Sequence, residues 1–410
     1  MKKVTLSALA ALMVSGAAYA DTLTLYTDTT TGQVFTTPGE GRVEMGDFID
    51  AKTVYEENQA QDSAIAKKEA KAEKSGYIPV KAKASKLQFS GTHYLGYVMK
   101  SAKGSVDTSK FELRRNYLQV KAYLFDDPKS YARVTLDNHT ENGYQTMHAK
   151  YAYLYLNEVL PYTGVEVGIA HRPWLDYEEH QGWWYRSIDK TFVESKESAD
   201  LTNSADFGFN FKTKTPYFTS EIGLFNGEGY HAAESENGIS FEWRTTAALL
   251  GNGDVKRKQK KTTYWDVSFW GQYNMENSGN SDESYTIGGL HTVYNTPSFL
   301  IAAHYMMGDN DLANTIRRNG DGYSINGEFR FGADHEFALL GRYDRWTAEN
   351  TTTKVDYKMT HYLYGIAWEQ NKNVTWILNG KHYDPKDGVK YDGSAAVKFN
   401  SAMVTAEVTW

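Results

Sequence analysis

Residues 173 to 204 read PWLDYEEHQGWWYRSIDKTFVESKESADLTNS, a polar stretch in which carboxylates sit among large aromatics. Asp176, Glu178 and Glu179 share it with Trp174, Tyr177, Trp183 and Trp184. Four bases, Arg115, Lys121, Arg133 and Arg172, lie in strand-period segments earlier in the chain. Acids set across a wet gap from bases create a transverse field, which orients polar solutes and repels apolar ones. Large aromatics gain little by projecting into water. The stretch is therefore expected to fold inward against a wall, with its acids facing the basic cluster around Arg133 and Arg172.

Covalent chemistry finds little support. Eleven histidines are scattered, and His171, His180 and His361 have no spacing partner that would form a nucleophile–base–orienter set. There is no cysteine, no glycine-rich phosphate loop after a strand, and no helical pair of histidines. The loop-end runs HYD (382–384) and DNDLAN (309–314) offer oxygen ligands for Ca²⁺, but such runs also suit ordinary solvated loops. No enzyme activity, metal or cofactor is expected.

The elements that must position these charges begin with an export signal. MKKVTLSALAALMVSGAAYA, residues 1–20, has a basic start, a short apolar run and a small-residue cleavage site before Asp21. The formal charge is −7 for the whole chain and −9 once Lys2 and Lys3 are cleaved away, which argues against nucleic acid as a partner. No stretch of the mature chain is long and apolar enough for a transmembrane helix. Residues 21–86 read as a periplasmic segment: a Thr-rich hairpin turning near Gly32, then an Ala/Lys/Glu-rich helical stretch at 51–74.

From Leu87 the period becomes that of strands. Sixteen segments of about ten residues follow, the length a tilted strand needs to cross a bilayer. No helical pattern interrupts them. Most even-numbered connections are short, such as DDPK, KTP and NTP, with the basic GNGDVKRKQKK (251–261) as an exception. Odd-numbered ones are longer and polar, such as DNDLANTIRRNGD and TAENTTTKVDY. Short turns at one end and long loops at the other describe an all-β, 16-stranded antiparallel transmembrane β-barrel over residues 87–410, set in outer-membrane lipid. The last segment, SAMVTAEVTW, ends on Trp410. In a closed barrel that strand pairs with the first, so Trp410 is expected at the periplasmic interface, as an anchor and a signal to the barrel assembly machinery.

Alternation assigns faces. Val165, Val167 and Ile169 are expected toward lipid and Glu166, Gly168, Ala170 and Arg172 toward the lumen; Leu118, Val120 and Ala122 outward and Gln119, Lys121 and Tyr123 inward. Strand charges assigned to the lumen balance, eight of each sign, so weak selectivity leaning to cations is expected, with no saturable phosphate site.

KFELRRNYLQVKAYLFDD followed by YARVTLD resembles the second and third strands of the phosphate-selective porin O and P family, through Phe111, Leu113, Arg114 and Arg115. VEVGIAHRPW is similar to that family's Gly-x-x-Lys-x-Pro-aromatic stretch, with His171 at the Lys position, and GLFNGEG, with Asn226 and Gly227, resembles another strand end. The resemblance implies a homotrimeric outer-membrane porin that passes small hydrophilic solutes by diffusion, narrowed by an inward-folded third loop. A structural or adhesive surface barrel with a closed lumen is the alternative.

Overall fold

The computed structural model describes residues 23–48, 86–123, 127–141, 144–230, 238–275, 284–310, 319–349, 356–386, 390–391 and 394–410. The expected signal peptide (1–20) and helical stretch (51–74) lie outside them. The chain divides into two units, Met1–Ala82 and Lys83–Trp410. In the first, β1 (Leu23–Asp28) pairs antiparallel with both β2 (Val34–Phe35) and β3 (Arg42–Phe48). The Asp28 carboxylate accepts from the amides of Thr30 and Thr31 at 2.9 and 2.8 Å, fixing the turn that Gly32 completes at φ 70°.

The second unit is built from β4 (Lys86–Ala102), β5 (Thr108–Tyr123), β6 (Tyr131–Glu141), β7 (Tyr144–Leu160), β8 (Thr163–His171), β9 (Ala205–Lys214), β10 (Phe218–Phe225), β11 (Ile239–Leu250) and β12 (Tyr264–Met275). It continues with β13 (Tyr285–Asn295), β14 (Phe299–Asn310), β15 (Gly320–Phe331), β16 (Phe337–Glu349), β17 (Asp356–Asn371), β18 (Val374–Pro385), the two-residue pair β19 (Lys390–Tyr391) and β20 (Ser394–Ala395), and β21 (Phe399–Thr409). Strands β4 to β18 and β21 form one closed antiparallel barrel of sixteen, in which each of the sixteen expected segments appears. Closure comes from β21 on β4, with Ala406 opposite Leu95 and Glu407 opposite Tyr94. A closed ladder leaves no strand edge, which a bilayer demands.

The polarity of the wall is inverted relative to a soluble barrel. Leu290, Ile301, Leu339 and Leu378 are each more than half exposed on the outside. The intervening Asp266, Glu328, Arg330, Arg342 and Asp344 are buried inside. Such an outer belt is stable only against lipid.

Trp410 extends the closing seam. Its backbone exchanges two 3.0 Å hydrogen bonds with Gly91, and its indole donates to His93 Nε2 at 2.7 Å. Gly91 makes room for that ring: a Cβ there would lie 2.6 Å from it.

Two bulges alter the expected faces. Tyr94 pairs with Arg115 but Leu95 pairs with Leu113, so Arg114 is an extra residue in β5. Thr135 pairs with Tyr151 and Leu136 with Ala149, so Lys150 is an extra residue in β7. A bulge turns two successive side chains to the same side. Arg114 and Arg115 thus both enter the lumen, and so do Lys150 and Tyr151.

Candidate functional site

The long connection after β8 is packed inside the barrel. It opens with a helix, α1 (Pro173–Gln181), which the strand-only reading did not anticipate. Pro173 starts it, where the missing amide hydrogen costs nothing. The helix lacks an apolar stripe because it is enclosed on several sides: Trp174, Leu175, Tyr177 and Glu178 are all buried. Trp174 stacks on Trp270 of β12 at 5.2 Å and 8°, and the Tyr177 hydroxyl donates to Asp266 at 2.7 Å.

Beyond α1 the segment packs against the far wall of the barrel, leaving a cavity of about 170 Å³ beside Tyr185 and Glu328. Ile188, Phe192, Val193 and Leu201 are at most 1% exposed. They belong to clusters that include Ile287, Met306, Trp346, Leu363, Ile377 and Met403 from the far wall. Polar welds accompany them: Lys381 donates to Asp189 at 2.9 Å, Arg342 to the Lys190 carbonyl at 2.6 Å, and Ser198 to Asp344 at 2.5 Å. Burial works against the charge on Asp189, but Lys381 and then His361 outweigh it and hold the carboxyl well below the usual range. Glu194 is lowered in the same way, with Arg186 and Lys190 outweighing burial.

The 251–263 connection also folds in. Arg257 pairs with Asp266, Gln259 donates to Glu328 at 2.5 Å, and Arg330 donates to the Gln259 carbonyl at 3.0 Å.

The open space runs along the opposite wall, β4 to β11, as two chambers. One, of about 990 Å³, faces the long-loop side and is bordered by Arg114, Arg115, His148 and Lys381. The other, of about 790 Å³, reaches toward the short turns and is bordered by Lys121, Arg133, Lys150 and Lys256. Tyr94 on the wall and Arg186 on the loop line both chambers. Arg186 is held there by Glu194 at 2.6 Å and by Glu179.

The expected site residues separate into groups. Arg115 is spent on Asp137 at 2.7 Å. Arg172 does not face the loop acids: it is 2% exposed and lies between Asp206 (2.8 Å) and Glu242 (3.1 Å). Glu178 turns away from the open space, accepting from the Trp174 indole at 3.0 Å and lying 3.3 Å from His304. Glu179 goes to Arg186. Asp176 reaches the chamber, where Lys212 lies 3.0 Å away and also serves Glu166 at 3.2 Å and Glu221 at 3.4 Å. Burial raises Asp176, but the basic groups around it, Lys212 among them, outweigh it and hold it well below the carboxylate range.

Lys121 and Arg133 stand across from that acidic group as direct cross-strand partners. Among the described residues neither has a carboxylate partner. Lys121 Nζ sits 4.4 Å from the Tyr131 ring centroid. Arg133 lies over Tyr151 at 4.6 Å and donates to the Tyr153 hydroxyl at 3.0 Å and to His171 Nε2 at 3.2 Å. Aromatic faces hold a cation in place without neutralising it. Alternation missed Lys150, Arg114, Lys212 and Arg186. The first two are bulged residues, Lys212 meets Glu166, Asp176 and Glu221 once three strands and the loop are assembled, and Arg186 lies on the loop, where alternation says nothing.

The described lining is therefore unbalanced. Nine Lys and Arg face six Asp and Glu in the short-turn chamber, and six face four in the other. These lining counts differ from the strand-only balance of eight and eight because they take in the bulged Arg114 and Lys150 and both the bases and the acids of the folded segments.

No protein-family model and no curated protein matches the chain. Solved structures do. An anion-selective porin from Comamonas acidovorans aligns over 79% of this chain and 99% of its own, at 12% identity and a TM-score of 0.57. Salmonella typhi OmpF, in complex with daunomycin, aligns over 81% and 100%, at 12% and 0.56. OmpT, an outer-membrane protein of Vibrio cholerae, aligns over 81% and 100%, at 13% and 0.53. The architecture is that of the sixteen-stranded, porin-type β-barrels of the bacterial outer membrane.

Proposed function

We propose that the chain is a non-enzymatic outer-membrane porin through which small hydrophilic solutes diffuse, with a preference for anions. The observation that carries this is the run of cations lacking carboxylate partners, Lys121, Arg133 and Lys150, along the wall of the open chamber. Charges in a narrow, low-dielectric passage attract counter-ions far more than the same charges in bulk water do. In this reading the passage runs through both chambers, past Tyr94 on the wall and Arg186 on the loop, the residues that line both. The inward loop serves as the constriction, and its welds make it a fixed one. A homotrimer, and recognition of Trp410 by the assembly machinery, belong to the same proposal.

Deleting Tyr177–Trp184 tests it. The expected result is a larger single-channel conductance in planar bilayers from a barrel that still shifts on heating in gel electrophoresis. Unchanged conductance in a folded variant removes the constriction, and absence of any current steps in the intact protein favours the closed surface barrel.

A further inference from the structure

Arg133 and Lys150 share one aromatic ring. Arg133 Cζ lies 4.6 Å and Lys150 Nζ 5.2 Å from the Tyr151 centroid. Their charges are therefore separated by no more than those two distances laid end to end. Both border the same 790 Å³ chamber.

Neither cation is neutralised. Among the described residues, Lys150 has no carboxylate within ion-pair distance, and its ammonium donates only to the Tyr117 hydroxyl, at 3.4 Å. It is nonetheless 3% exposed. An enclosed ammonium with a single long, neutral hydrogen bond is costly to maintain. Arg133 is bonded to Thr135 Oγ1, Tyr153 OH and His171, all uncharged acceptors when the imidazole is neutral. Lys121 stands directly opposite Arg133, a like-charge pairing that sheets disfavour. Three cations with spare donors on one wall are an arrangement that a bound anion would relieve.

We infer that this wall is a binding station for short-chain dicarboxylates, one carboxylate on Arg133 with Lys121 and the other on Lys150. A four-carbon chain sets its carboxyl carbons about 4 Å apart, from three C–C bonds of ~1.5 Å. With a charge-assisted hydrogen bond of about 2.8 Å at each end, it spans two cations roughly 8–10 Å apart. The Tyr151 ring, which both cations approach and which lines the same chamber, offers an apolar surface to the methylenes. A monocarboxylate satisfies one end only, and a compact oxyanion such as phosphate, with oxygens about 2.5 Å apart, has a shorter reach of about 8 Å. The inference rests on the channel reading above and narrows its solute class.

The test is block of chloride current in planar bilayers by succinate, acetate and inorganic phosphate, each titrated against the full-length protein. Chloride steps without added solute report the channel itself, so failure of the channel reading and failure of the site are seen separately. Succinate is expected to block at concentrations at least tenfold below acetate and phosphate. In Lys150→Met, chloride steps should remain measurable at a lowered anion preference, while succinate block, scaled to each variant's own unblocked current, falls to the level of acetate; Arg133→Met should do the same. Equal block by succinate and acetate, phosphate block as tight as that of succinate, or wild-type succinate block in Lys150→Met would each overturn the proposal.

Discussion

Replacing Lys381 with Met keeps the alkyl stem and removes the charge that welds the inner loop to β18. Asp189 would then remain 4% exposed on its side chain without its ammonium, retaining the Ser195 hydroxyl at 2.8 Å and His361 Nε2 at 3.4 Å. Breaking one partner of a buried pair costs about 3–5 kcal/mol, mostly from the carboxylate left behind. Here the figure should fall at the lower end, because the Ser195 hydroxyl still donates to Asp189 and the carboxylate keeps that partner. Adding Asp189→Asn removes the stranded charge. The double variant should therefore recover most of the loss, giving a coupling on the order of 2 kcal/mol. Melting in detergent micelles measures the stability, and open-channel noise reports the loop, which should flicker in the single variant and quieten in the double. If the two substitutions simply add, or if the single variant is as quiet as wild type, Asp189–Lys381 is not the weld described above.

Three further outcomes follow from the same contacts. Trp410→Ala, which removes the indole bonded to His93, should lower the yield of heat-modifiable barrel, and Gly91→Val should do so by pushing the same ring off the seam; wild-type yield in both would remove Trp410 from assembly. Asp176, Asp189 and Glu194 are held below the carboxylate range by their cationic neighbours. Their stabilisation is complete above the unfolded carboxylate pKa of about 4 and is lost as pH falls through the depressed native values. Open-channel noise should accordingly be flat from pH 7 to 5 and rise only in strong acid; loosening between pH 7 and 5 would contradict this. Replacing Lys121 and Arg133 together with Met should lower anion preference in a folded channel, as measured by the shift in reversal potential.

The barrel was legible because its rules are local. Side-chain period, segment length and the alternation of KTP-like turns with long loops identify all sixteen strands, and SAMVTAEVTW announces the closing one. The inward loop was legible from Trp174, Tyr177 and Trp183, which need a wall to pack on. Its charge partners were not. Whether Glu178 meets Arg133 or His304 depends on contacts more than a hundred residues apart in sequence. The faces of Arg114 and Lys150 were hidden for a different reason. One extra residue reverses the phase of a strand, and a bulge is visible only when both strands of the pair are in place. Helix α1 gave no periodic signal because a helix enclosed by a barrel has no single apolar side to display.

The most direct test of the central claim is the zero-current potential of the wild-type channel in a KCl gradient across a planar bilayer. The cations of β5, β6 and β7 that have no carboxylate partner among the described residues predict a potential of the sign given by chloride passing more readily than potassium, weakening as salt shortens the reach of the wall charges. A potential of the opposite sign at low salt would mean that the acids gathered around Lys212 govern the passage, and would contradict the account.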